Sequence, residues 1–264
     1  MQYTTQNFEY YLKNKKLMFI YDELKKNGIK VVPMYQTEKI SKDAVCRTSS
    51  IDLENNIWGM SVINNVEVND SVLCHELAHL IMFYEGFPLV VPVDDLESYW
   101  EGTIISFLFN LTAHLEVWRL TSLYGFPEKE RYDDEVRGKL IDQIQRNVSF
   151  WESLTPQMPI HEVEKRILQA AIYIAGGIVC PCHDETKKIL WESATEHFPK
   201  AVPLAHRLVQ ICHNALPLSP ESSLRCLAEL IAPLHPPMGC LMPVYPKKLF
   251  PNLRESIALD ISAL

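Results

Sequence analysis

The stretch "VLCHELAHLI" (residues 72–81) sets His75 and His79 four residues apart, with Glu76 directly after the first. On an α-helix, side chains at i and i+4 are neighbours on one face, a turn apart. Two imidazoles so placed can take two corners of a tetrahedral zinc site, at about 2.0–2.1 Å from the ion. Glu76 then projects beside the ion rather than onto it. There it can hold a zinc-bound water and take its proton, because zinc lowers the pKa of that water toward about 7. The pattern predicts Glu76 as the catalytic base and His75 and His79 as metal ligands. The alternative is a chance match or a decayed site, since HExxH is a short pattern.

A catalytic zinc takes three protein ligands and keeps one position open. "FNLTAHLEVWRL" (109–120) offers His114 and Glu116, which are two apart and so point to nearly opposite sides of a helix. Phe107, Leu108, Leu111, Leu115 and Trp118 form an apolar stripe at helical spacing, and His114 lies within it. Glu116 falls with Thr112 and Leu120, away from the stripe's centre. His114 is therefore the expected third ligand. Glu97 and Glu101, on the first turns of the same helix, and Glu116 are the alternatives. Cys74 precedes His75 by one residue, points about 100° away on a helix and reads as packing.

These groups need elements to hold them. Asp70 or Ser71 can cap a helix over about 71–85 that Gly86 and Pro88 end. Leu73, Leu77, Leu80, Ile81 and Tyr84 occupy the side away from the polar trio and would anchor it in a core. A long helical pattern runs from about Asp95 to Tyr124, with a possible bend at Gly102 and a stop at Gly125. Upstream, residues 8–27 read as one helix ended by Gly28, and "IKVVPM" (29–34) and "IWGMSVI" (57–63) read as strands. After Pro127 the chain reads as helical, over about 129–152, 160–179, 184–197, 200–215 and 219–233. The tail from His235 holds five of the 17 prolines and reads as irregular. The fold class expected is α+β: a small zincin-like front of helix, short strands and HExxH helix, continuing into a mostly α-helical part. The expected division is 1–126 and 127–264.

Composition narrows the function. The 264 residues are 47% hydrophobic and 22% charged, which suits a chain that buries a core. The formal charge of −8 argues against nucleic acid, whose phosphates need clustered Lys and Arg. No window holds about 18 uninterrupted apolar residues, so no membrane span is expected. The start, "MQYTTQNFEYYLKNKK", lacks the apolar core of a signal peptide. Seven scattered cysteines read as reduced thiols, and a cytoplasmic location is expected. "CPCHDE" (180–185) resembles a metal knuckle, but C-x-C is not the usual C-x₂-C spacing and no second pair exists. It reads as a helix end with two packed thiols. His161, His197, His206 and His235 have no partner pattern. There is no glycine-rich phosphate loop and no G-x-S-x-G.

The lysine-rich helix ending "LKKNGIKVV", the strand "IWGMSVINN", the polar link after it and "HELAHL" together resemble the front of the ImmA/IrrE-type zinc metallopeptidases, over about residues 12–85. The resemblance implies a zincin in which His75 and His79 bind zinc and Glu76 is the general base. It also implies a specific protein or peptide target, often a regulator. The acidic third ligand that this family carries in an E-x-E-A-N-like stretch has no counterpart in "LESYWEGT" or "NLTAHLEVW". The function expected is zinc-dependent hydrolysis of a peptide bond, with Zn²⁺ as cofactor. The competing readings are a non-catalytic binding or signalling protein on a zincin scaffold, with the metal structural or lost, and a toxic or immunity component held by a partner.

Overall fold

The computed structural model of the chain describes residues 2–3, 7–35, 46–52, 55, 57–62, 69–87, 89–92, 99–146, 160–232 and 241–244. Its composition is mostly helical with a small mixed sheet, within the α+β class expected. Two compact units make it up. One takes Met1–Leu89, Val117–Pro127 and Val244–Glu255, the other Val90–Glu116, Glu128–Pro243 and Ser256–Leu264.

The first unit is built on a four-stranded sheet in the order β1-β2-β4-β3: β1 Gln2–Tyr3, β2 Lys30–Tyr35, β3 Cys46–Asp52 and β4 Ile57–Val62. β2 and β4 pair in parallel, Lys30 opposite Ile57 and Tyr35 opposite Val62. β3 pairs with β4 antiparallel, its register slipping between Ser50 and Asp52. The strands expected at 29–34 and 57–63 are β2 and β4. Met34, Val31, Trp58 and Met60 are buried in the core.

α1 (Lys15–Lys26) packs on α2 (Asp70–Tyr84) through a face of Leu17, Ile20, Tyr21 and Leu24, all buried. Burial of such side chains stabilises by roughly 1.5–3 kcal/mol each. The single helix expected over 8–27 is in fact two elements, a 3₁₀ turn at Phe8–Tyr11 and then α1. The reason is local: the Asn14 side chain accepts a hydrogen bond from the Lys16 amide at 3.0 Å, which starts a new helix. Gly28, at φ 82°, ends it in the left-handed conformation that only glycine takes without cost.

The second unit contains most of α3 (Tyr99–Leu123), which is helical through Gly102. Past Pro127, α4 (Lys129–Glu135) continues through a six-residue π-helical stretch, Val136–Ile141, into α5 (Asp142–Arg146). Then come α6 (Ile160–Val179), α7 (Asp184–His197), α8 (Val202–Ala215) and α9 (Pro220–Ile231). α6 packs along α7 and α8, and α9 along α8. Ala171, Ile174, Ala175, Leu190, Leu208 and Leu227 fill the core between them. The last four helices lie within a residue or two of the expected ones; of the first, residues 147–152 lie outside the described set. The tail was expected to be irregular, yet Leu241–Val244 forms a strand, β6, paired with β5 (Leu89–Pro92). Leu241 and Met242 before Pro243 and Val244 after it are enough for a short ladder, proline being tolerated at a sheet edge. Among the described residues no helix is long and apolar enough to cross a membrane.

Candidate metal centre

α2 is the element that carries the HELAH residues. Its N-cap is Asn69, whose side chain accepts from the Ser71 amide at 2.8 Å, rather than the expected Asp70 or Ser71. Asp70 is left free to accept from the Asn14 side-chain amide at 2.9 Å, which ties the start of α2 to the start of α1. Gly86, at φ 97°, ends the helix, as expected. Leu73, Leu77 and Leu80 are fully buried and Ile81 is buried beside them. Trp58 of β4 meets Phe83 of α2 edge-on at 4.5 Å. The helix is thus fixed on the sheet by its apolar side. Tyr84 was expected in that set but is exposed, because its hydroxyl reaches the Asn27 side chain and donates to it at 2.8 Å. Cys74 is buried, as a packing residue should be.

The two motif histidines lie on one face. Their ring centroids are 5.1 Å apart and the planes are inclined by 74°. His75 is buried, and His79 and Glu76 are half-buried.

The third histidine comes from α3. A nitrogen of each of His75, His79 and His114 can be chosen so that all three lie within 4.8 Å of one another. Leu111 to Ala113 and Leu115 to Val117 are buried, and His114 alone within that run is half-buried. Glu116 falls with Thr112 and Leu120, away from the centre of the apolar stripe. All three are buried, so α3 is covered here beyond its stripe. Glu116 does not join the histidines, and no other His, Cys, Asp or Glu among the described residues does. Glu97 and the side chain of Glu101 lie outside the described residues.

The donor set suits a metal ion. In a tetrahedral site with nitrogens about 2.05 Å from the ion, neighbouring nitrogens are about 3.3 Å apart. The observed limit of 4.8 Å is wider by less than the swing that a small change of side-chain torsion gives an imidazole. Three neutral imidazoles favour zinc, copper, nickel or iron over magnesium or calcium, which take oxygen. His75 is buried, and His79 and His114 are half-buried. Three possible ligands gather here among the described residues, whereas a structural zinc site closes its fourth position with a further protein ligand.

Among the described residues no other group of three possible metal ligands is gathered. Cys180 and Cys182 are buried at a helix end, as expected. The His183 ring meets Glu130 at 3.1 Å, His206 stacks on Trp191 at 4.0 Å, and the side chain of His161 and all of His235 lie outside the described residues. Compared with protein families, with curated proteins and with solved structures, the chain matches none.

Proposed function

We propose that the protein is a zinc-dependent metallopeptidase that hydrolyses a peptide bond in a specific protein or peptide. His75, His79 and His114 would hold the ion, and Glu76 would act as general base. The observation that supports this reading most is the meeting of His114 with the two motif histidines. A chance HExxH on a packed helix has no reason to be joined by a third imidazole from a separate helix. When bound, zinc supplies a Lewis acid that polarises a carbonyl and makes water acidic. This chain supplies the rest. Glu76 takes the proton of the attacking water and returns it to the leaving amine, and the apolar side of α2 keeps it in place between those steps. The resemblance to the ImmA/IrrE-type enzymes points the same way and suggests a cytoplasmic enzyme with few targets. The helical unit would serve recognition, a role that rests on analogy.

Elemental analysis of the purified chain, followed by a search for cleaved proteins with wild type and Glu76→Gln, tests the proposal. The expected result is about one zinc per chain in both proteins, and cleavage lowered at least about 100-fold in the variant. Wild-type cleavage rates in Glu76→Gln would overturn the mechanism. Zinc in both with cleavage in neither would favour the binding protein on the same scaffold.

A further inference from the structure

Far along the chain from the histidines, α6 ends at Val179 and the sequence Cys180-Pro181-Cys182 leads to α7, whose N-cap is His183. The Cys182 amide donates to the Cys180 carbonyl at 2.9 Å, so the three residues close a γ-turn with proline at its centre. Proline's fixed φ near −65° suits that turn. Two residues of chain span at most about 7 Å, and a γ-turn is shorter. The two Cα atoms therefore fall inside the roughly 4.4–6.8 Å that a disulfide bridges.

The side chains also converge. Both thiols reach one acceptor, the Gly177 carbonyl, at 3.2 Å from Cys180 and 3.5 Å from Cys182. They are in hydrogen-bond contact with each other as well. Gly177 leaves no room on its own side, since a Cβ there would come within 2.6 Å of the Leu140 and Leu190 side chains. Pro181 between the thiols is half-exposed, while Cys180 and Cys182 themselves are buried beside it, so an attacking disulfide has to enter by displacement of the turn.

The two thiols are not equivalent. The hydrogen bond from Cys180 holds Cys182 below the usual thiol range, aided by Lys187 and opposed by burial and by Asp133. The same bond, with burial, pushes Cys180 up. Cys182 also stands just before the first turn of a 14-residue helix, where the backbone dipole favours an anion.

We propose that Cys180-Pro181-Cys182 is a redox-active dithiol that reduces low-molecular-weight disulfides, Cys182 attacking and Cys180 resolving. The Cys182 thiolate attacks one sulfur of R–S–S–R, and the S–S bond breaks. One R–S⁻ leaves and takes up the proton that Cys182 gave. The mixed disulfide on Cys182 is then attacked by Cys180. This forms the Cys180–Cys182 bond, and the second R–S⁻ leaves with the Cys180 proton. The chain loses two electrons and two protons, and the substrate is released as two R–SH.

The test uses the full-length folded chain and oxidised glutathione. After incubation, free thiols are alkylated and peptides are mapped by mass. In wild type, the 180–182 peptide is expected to be unalkylated and two hydrogens lighter, while Cys212 and Cys226 become alkylated once the protein is denatured. These two are also in sulfur contact, but they lie on α8 and α9 with no turn at the surface. Cys180→Ser should trap glutathione on Cys182 at least tenfold faster than Cys182→Ser traps it on Cys180. Full alkylation of both thiols after oxidation, oxidation of Cys212 and Cys226 with the turn spared, or equal trapping in the two variants would overturn the proposal. The wild-type result does not depend on either variant folding.

Discussion

Replacement of His114 by alanine separates the proposed metal centre from a helical motif that binds nothing. His114 is half-buried, and it is not among the side chains that fill the core. The apo protein should therefore lose about 1 kcal/mol or less, as surface-proximal positions usually do. The loss should appear when zinc is present. Removing a group that only orients a ligand costs 10–100-fold in metal affinity, so losing one of three ligands should cost about 100-fold or more. At free zinc 100 times the wild-type dissociation constant, the ion stabilises wild type by about 2.7 kcal/mol. A variant weakened 100-fold has zinc at its own dissociation constant and gains about 0.4 kcal/mol. The zinc increment should thus shrink by about 2.3 kcal/mol. Urea unfolding with buffered zinc and with a chelator measures it directly. Glu116→Gln serves as the control: it changes a buried residue on the same helix that lies outside the histidine cluster, and its zinc increment should match wild type. An undiminished increment in His114→Ala, or none in wild type, would refute the reasoning.

Two further outcomes concern the helical unit. Asp133 of α4 accepts from the His183 amide at 2.8 Å and from Arg137 at 2.9 Å, so Asp133→Asn should destabilise by about 2 kcal/mol in urea unfolding at pH 7. Burial alone would push the Asp133 carboxyl up, but its bonds with Thr186, the His183 amide and Arg137 outweigh that and hold it below the usual range. Its stabilisation is therefore complete above about pH 3.9, the unfolded value, and fades as pH falls through the lower folded one. The gap between wild type and Asp133→Asn should close below about pH 3.9, and a gap that persists there would count against the carboxylate. Gly177→Ala puts a methyl 2.5 Å from a Leu140 carbon and 2.6 Å from one of Leu190, and should cost about 1–3 kcal/mol in the same assay; a neutral change would mean that both leucines yield freely.

The residues that could do chemistry were legible because their pattern repeats at the helical period. His75 and His79 share a face by spacing alone, and His114 could be picked from its stripe of Leu108, Leu111 and Leu115. What escaped was set by hydrogen bonds and by neighbours from elsewhere in the chain. Asn14 breaks a run that is helical in pattern, because a side-chain acceptor in the right place outcompetes propensity. Asn69 caps α2 one residue before the expected position for the same reason. β3, "CRTSSID", has Ile51 as its one aliphatic residue and no alternation to read; it is a strand because β4 offers it a ladder. Glu116 and Thr112 lie off the apolar stripe in sequence, and packing on more than one side of α3 has buried both.

The three imidazoles differ in how far apart they lie along the chain: four positions separate the first pair, and 35 more lead to the last. Once α2 has formed, a single turn of it holds the pair with no further loop to close. Recruiting the last ring closes a loop whose length alone contributes about 3 kcal/mol. An ion could therefore be captured early and weakly by the nascent helix, then locked when the distant ring arrives. Slow release of such an ion would mark a finished molecule, and fast release one still searching for its final form.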